Sequence, residues 1–268
     1  MKIIRYIDLT GTTGFGKIGD NGDVNKIEGD IFNNYKITEE IVEVKKVLAP
    51  LMPSSILCIG LNYRRHAAES NMKVPEFPVL FLKAVSSVQN PGDPIYIPCK
   101  LVSEEVDYEC ELAVIIGKEC KNVSRDDALN YVFGYTCAND VSARDWQIRY
   151  NSGQWCRGKT FDSFCPLGPH IVTSDEIKNP NDLQIKTILN GEILQNWNTR
   201  DMIFDVAALI EFLSGSTTLL PGTVILTGTP HGVGKASKPP RWLQQGDSVI
   251  IDIEKIGQLI NPVELEVI

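Results

Sequence analysis

No two cysteines in this chain follow a C-x-x-C spacing, and the seven present, at 58, 99, 110, 120, 137, 156 and 165, are an odd number. A disulfide framework and a zinc knuckle are therefore not signalled. Reduced thiols in a cytoplasmic compartment are the expectation, or a mitochondrial one if a presequence has been removed. No apolar run approaches the ~20 residues of a membrane span. The opening Met1-Lys2-Ile3-Ile4-Arg5-Tyr6-Ile7-Asp8 breaks its apolar residues with charges, unlike a signal peptide. Basic surplus is missing too: 26 Lys and Arg stand against 34 Asp and Glu, a net charge of -8. Such a surface repels phosphate backbones and anionic membranes, so neither nucleic acid nor membrane is an expected partner. An anionic substrate would need a locally positive site inside this acidic whole, which a bound cation with one or two Lys or Arg can supply. Fixed-period repeats and a dinucleotide fingerprint are absent. The glycine-rich stretch 227–234 lacks the Gly-Lys-Ser/Thr ending of a phosphate loop. Histidine is scarce, with three in 268 residues.

What is present suits a globular chain with a sizeable core: 43% of the residues are hydrophobic. Residues 1–52 read as a small N-terminal subdomain of short strands and Gly/Asp/Asn turns, ending in a helix from Thr38 to Ala49 before Pro50. From residue 53 to 268 the pattern becomes β-rich, with strands expected at Ile56–Ile59, Val79–Leu82, Leu112–Ile116, Val224–Leu226 and Val249–Ile253. Helices are expected at Asp126–Tyr131, with Ser124 as N-cap, and at Asp205–Leu213, where Val206, Leu209, Ile210 and Leu213 share a face. The class is α+β with sheets dominating.

Asp107-Tyr108-Glu109-Cys110-Glu111 runs into the apolar segment 112–116, and the two-residue period of a strand places Glu109 and Glu111 on one face, about 6–7 Å apart at Cα. Carboxylates that close resist desolvation unless a cation neutralises them, and Mg²⁺ or Mn²⁺ suits an all-oxygen site. The same Glu-x-Glu also suits an edge strand facing water. Asp140, directly after the strand-like 132–138, can complete a three-carboxylate set or simply end its strand as an Asx turn. Arg144 can pair with Asp145 or bind a carboxylate. On a short helix His66 and Glu69, at i and i+3, share a face, which lets the carboxylate orient the imidazole as a general base. Neither His170 nor His231 has such a neighbour. Lys159, in Gly158-Lys159-Thr160-Phe161-Asp162, can stabilise an oxyanion or stand in solvent as most lysines do. The glycines of 227–234 allow the Thr229 hydroxyl and the backbone N–H groups to approach a ligand closely.

Taken in order, Leu61-Asn62-Tyr63 with His66 and Glu69, Glu109-x-Glu111, Asp140 with Ser142-Ala143-Arg144-Asp145, 158–162, Asn190-Gly191-Glu192 and Thr227-Gly228-Thr229-Pro230 resemble the fumarylacetoacetate hydrolase family over roughly residues 55–265. The phrases at 140–147 and 158–169 look like its fumarylacetoacetate hydrolase domain-containing protein 2 subgroup. The resemblance implies a mixed β-sheet/β-roll catalytic domain, a homodimer, and Mg²⁺ or Mn²⁺ on Glu109, Glu111 and Asp140; Ca²⁺ can substitute in crystals. It also implies His66 and Glu69 on a lid helix, Lys159 as the third catalytic residue, and Arg144, Gln147 and Thr229 against a small anionic 2-oxo or 1,3-dicarbonyl acid. The activity implied first is hydrolysis of a carbon–carbon bond in an acylpyruvate-like acid through a metal-stabilised enolate and a His/Glu-activated water. Oxaloacetate decarboxylation or keto–enol tautomerisation at the same site is the alternative, and a non-catalytic metal-binding scaffold the bland one. Arg65 departs from the family pattern, where many members carry Asp before the His; it adds positive charge near the lid.

Overall fold

The protein is described here by a computed structural model covering residues 1–150 and 152–267. Twelve strands form one large mixed sheet. Its main path runs Tyr35–Ile41, Val24–Gly29, Thr13–Ile18, Lys2–Asp8, Cys165–Thr173, Val132–Asn139, Cys110–Ile116, Thr223–Leu226, Ser55–Gly60 and Val79–Lys83. A five-stranded sheet, Glu192–Asn198, Gln184–Leu189, Ser248–Ile253, Gly257–Leu265 and Ile95–Ile97, packs beside it. Among the described residues the four α-helices are short: α1 (Arg64–Glu69), α2 (Arg144–Ile148), α3 (Cys156–Lys159) and α4 (Val206–Ser214). The chain is thus β-rich, and all five strands expected from residue 56 onward are present.

The strand Cys110–Ile116 is central and buried on both faces. Its even residues Cys110, Leu112, Val114 and Ile116 meet Ile185, Ile251 and Leu259 of the five-stranded sheet. Its odd residues Ala113 and Ile115 meet Ile3, Ile56, Cys58, Ala138 and Leu167. A strand covered on both faces reads as a continuous apolar run instead of an alternating one, which is what 112–116 shows. Glu109 and Glu111 have the same parity as Ala113 and Ile115, so the alternation carries both toward the second apolar cluster at its open end.

α4 forms as the sequence predicts. The Asp205 carboxylate accepts a hydrogen bond from Ala208 N at 2.9 Å as N-cap, and Val206, Leu209, Ile210 and Leu213 are buried. Two expected helices are corrected. Residues 38–49 fall in the strands Tyr35–Ile41 and Val44–Leu48, the second pairing with Lys2–Asp8. Ile37, Thr38, Ile41, Val42, Val44 and Val47 are β-branched, and that bias outweighs the boundary signals, Thr38 at the start and Pro50 at the end, that suggested a helix. At 126–131 a single 3₁₀ turn, Ala128–Tyr131, replaces the helix, and the Ser124 hydroxyl donates to the Asp127 carboxylate in a local turn. The N-terminal strands join the large sheet through the antiparallel pairing of Lys2–Asp8 with Cys165–Thr173.

Candidate active site

Pairing of Cys110–Ile116 with Val132–Asn139 sets Cys110 opposite Asn139, and one step further Asp140 N donates to the Glu109 carbonyl at 2.9 Å. That register gathers Glu109, Glu111 and Asp140, all buried, with ligand oxygens within 4.8 Å of one another. Glu109 and Glu111 are therefore not on a solvent-facing edge. Asp140 is no Asx turn either, because its carboxylate accepts from two lysines rather than from local backbone.

Three cations stand among these carboxylates. Lys159, the last residue of α3, donates to Glu109 Oε2 at 2.6 Å and to Asp140 Oδ2 at 2.7 Å. Lys83, ending its strand, donates to Asp140 Oδ1 at 2.5 Å and to the Val141 carbonyl at 3.1 Å. Arg144, at the start of α2, donates through Nε to Asp107 at 2.9 Å, through Nη1 to Gln147 Oε1 at 3.0 Å and through Nη2 to Glu109 at 2.7 Å. The expected Arg144–Asp145 alternative is replaced by this arrangement; Asp145 instead accepts from Ser103 and from Glu104 N. Adjacent residues on one helix do not face each other, which is why the pair does not form.

The carboxylates respond unequally. Burial by itself would raise the Glu109 pKa, but Arg144 and Lys159 outweigh it and hold that carboxyl below its ordinary range. Glu111 is pushed well up, by burial first and then by the charges of Asp140 and Glu109; its one hydrogen bond among the described residues comes from Gly228 N at 2.7 Å. Burial lowers the Lys159 pKa, yet Asp140 and Glu109 more than offset it and the net shift is upward. Among the described residues Asp107, Glu109 and Asp140 are ion-paired with Lys83, Arg144 and Lys159, and Glu111 is left without an ion-pair partner. An all-oxygen donor set with an uncompensated, crowded carboxylate fits a hard divalent cation such as Mg²⁺ or Mn²⁺.

Above this cluster α1 carries the His66–Glu69 pair, with His66 Nδ1 3.2 Å from Glu69 Oε2. The other oxygen of Glu69 accepts from Gly232 N at 2.8 Å, so the carboxylate is itself fixed by the loop that carries Thr229. Gly228 in that loop has φ +95°, and a Cβ there would lie 2.7 Å from Asn62 Cβ. Only glycine lets the loop close onto the segment leading into α1 while its N–H reaches Glu111. The Thr229 hydroxyl accepts from Gln195 Nε2 at 2.9 Å.

A cavity of about 430 Å³ opens between these elements, lined by His66, Glu69, Glu109, Glu111, Arg144, Gln147, Lys159 and Thr229. Asp140 lies behind them. Every residue singled out in the sequence for chemistry is thus gathered at one place. Apolar wall is supplied by Ile59, Met72, Phe81, Ile148 and Trp155. Arg65 does not line this cavity; it stacks on Trp197. Sequence reasoning missed Lys83, Asp107 and Lys235. Asp107 takes Gly234 N at 2.7 Å and Arg144 together, tying the 227–234 loop to α2. It was in view beside Glu109, but nothing in one sequence distinguishes a carboxylate that anchors from one that binds.

The family model for the C-terminal region of fumarylacetoacetate (FAA) hydrolase matches residues 55–264. The chain belongs to the fumarylacetoacetate hydrolase family. Within this family it is 51% identical over 218 residues to the oxaloacetate tautomerase fahd2, mitochondrial, of Xenopus laevis, covering 81% of this chain and 68% of that protein. It is 47% identical over 244 residues to the fumarylacetoacetate hydrolase domain-containing protein 2 homolog of Dictyostelium discoideum, covering 88% and 79%. Among solved structures, the 5-carboxymethyl-2-hydroxymuconate delta-isomerase of Mycobacterium smegmatis superposes with a TM-score of 0.87 at 38% identity, over 99% of this chain and 100% of that one. Enzymes of this family include hydrolases and isomerases, and the acidic cluster found here can hold a metal.

Proposed function

We propose that this protein is a Mg²⁺- or Mn²⁺-dependent enzyme that interconverts the keto and enol forms of a small 2-oxo diacid of the oxaloacetate type. The observation that carries the reading is the buried three-carboxylate cluster lying under the His66–Glu69 pair in a single cavity. Glu109, Glu111 and Asp140 would hold the cation. Bound there, it supplies Lewis-acid polarisation of the 2-oxo group. His66, oriented by Glu69, takes the proton from the carbon next to that group; the C–H electron pair becomes the carbon–carbon double bond and negative charge passes to the oxygen. Lys159 holds its ammonium in the same cavity with one N–H beyond the two given to Glu109 and Asp140, and that donor supports the developing charge. Return of the proton to the oxygen completes the enol. The name of the Xenopus laevis relative supports this over hydrolysis.

Hydrolysis of a carbon–carbon bond in an acylpyruvate is the second reading, favoured by the same His66–Glu69 pair, which can equally deprotonate a water. Decarboxylation of oxaloacetate would use the same cavity. A mitochondrial location is part of the proposal, on the names of such relatives. So is a homodimer, which would cover Leu80 and Leu82, each 48% exposed on the edge strand Val79–Lys83.

The test follows enol oxaloacetate by ultraviolet absorbance with Mg²⁺ or Mn²⁺, with and without EDTA, with products identified by NMR. Metal-dependent loss of the enol with all four carbons retained is expected, and His66→Asn should lower the rate by about a hundredfold or more. Equal rates with and without protein would overturn the proposal. Pyruvate released from acetylpyruvate would establish hydrolysis instead.

A further inference from the structure

Arg144, the arginine expected to bind a substrate carboxylate, has already given its donors away. Nε goes to Asp107, Nη1 to Gln147, and Nη2 to Glu109 and Asp107. A planar guanidinium has five N–H groups, and four such contacts leave little of it for a ligand. One other cation lines the cavity and is not spoken for. Lys235 is exposed at its rim, and its ammonium has no hydrogen-bond or ion-pair partner among the described residues.

The backbone of Lys235 is nevertheless fixed. Its N–H donates to Asp107 Oδ2 at 3.1 Å, beside the bond from Gly234 N to Oδ1 of the same carboxylate. Asp107 therefore sets the positions of Arg144 and Lys235 with one side chain. A Cβ on Gly234 would lie 1.9 Å from the Arg241 carbonyl, so the loop reaches this position only with glycine there. Burial at the rim and then the nearby charge of Arg144 lower the Lys235 pKa. Gln147 completes the corner. Its carbonyl oxygen accepts from Arg144 Nη1, which leaves its amide NH₂ as the free end at the cavity.

Resting on the 2-oxo acid reading of the same cavity, we propose that Lys235, with the Gln147 amide, receives the second carboxylate of the substrate and makes the enzyme selective for dicarboxylates over monocarboxylates. The first carboxylate and the 2-oxo oxygen would sit toward Glu109, Glu111 and Asp140. Lys235 is a specificity residue at the far end, and its truncation leaves the carboxylate cluster and His66 untouched.

The experiment is calorimetric binding to the full-length protein with Mg²⁺, using two stable probes: oxalate, which has only a chelating end, and malate, which adds a distal carboxylate. Lys235→Ala is expected to weaken malate about tenfold, the size of one charge-assisted hydrogen bond, while oxalate changes less than twofold. Lys235→Arg should restore most of the malate affinity, and Lys235→Glu should lose more than the alanine variant. Equal weakening of both probes, or of neither, overturns the assignment to Lys235 while leaving the metal-dependent reading in place. If the unaltered protein binds neither probe in a Mg²⁺-dependent way, the reading of the cavity itself falls and the inference with it.

Discussion

The guanidinium carbon of Arg65 lies 3.9 Å from the centre of the Trp197 ring, and the same indole meets the His231 ring edge-on at 4.9 Å. Arg65 belongs to α1, Trp197 to the strand Glu192–Asn198 and His231 to the loop that holds Thr229. A six-residue helix is too short to persist on its own propensity. This stack and the Glu69 contact with Gly232 N fix the His66 side of the helix, while Arg64 and Arg65 N tie its start to the Asp201 and Met202 carbonyls and the Asp201 carboxylate.

Trp197→Ala should therefore loosen α1 without touching the carboxylate cluster. A cation–π contact of this kind is worth about 0.5–2 kcal/mol, and amide exchange across residues 64–70 should quicken by roughly twofold to thirtyfold on that basis. Exchange in 110–116 should be unchanged. Mg²⁺ affinity should hold while turnover falls; unchanged exchange in 64–70 would show that the stack does not secure the helix.

Glu109 and Glu111 should behave oppositely in metal-free protein. Glu109 neutralises Arg144 and Lys159, so Glu109→Gln strands buried cations and should cost about 3 kcal/mol or more. Glu111 is the crowded partner, raised by burial, Asp140 and Glu109, so Glu111→Gln should be neutral or stabilising in EDTA. Both variants should lose the rise in melting temperature that Mg²⁺ gives the unaltered protein. Thermal melts with EDTA and with Mg²⁺ measure all four states.

The raised pKa of Glu111 also predicts proton release on metal binding, because a ligand must be ionised to coordinate. Above the ordinary carboxyl value of 4.5 the unfolded chain has lost this proton while the metal-free native protein retains it, so Glu111 makes native stability fall as pH rises through that range. Metal affinity moves the other way and strengthens with pH. Titration calorimetry in buffers of different ionisation heat should find net proton release on Mg²⁺ binding that diminishes as pH rises, and heats independent of the buffer would show that Glu111 binds the metal already ionised.

His170 supplies a separate acid limb. Burial, and then the charge of Lys2, bring its pKa down to about 4 from 6.5, and its Nε2 has no hydrogen-bond partner among the described residues. Below pH 6.5 the unfolded state gains a proton that the native imidazole refuses. Stability is lost as pH falls from 6.5 toward 4, by about 2–3 kcal/mol on that shift. His170→Asn should flatten the melting temperature between those values, and an unchanged slope would assign the acid limb to other groups.

Local pattern determined a good part of this protein. The apolar runs at 56–59, 112–116, 224–226 and 249–253 became strands, and Asp205 capped its helix, because burial and capping act over a few residues. The i, i+3 spacing sufficed to pair His66 with Glu69, and parity along one strand sufficed to bring Glu109 and Glu111 to one face. Where two local signals competed, as in 38–49, the boundary residues Thr38 and Pro50 misled and β-branching with a partner strand won. Tertiary structure alone decided the rest. Lys83 meets Asp140 across 57 positions of sequence, and Glu69 meets Gly232 across 163. Arg144 was committed to Asp107 and Glu109 instead of Asp145 by the folding of α2 against the 105–111 segment, and Lys235 was brought to the cavity rim by one carboxylate on another strand. Contacts at such separations depend on sheet order and register, which no window of a single sequence contains.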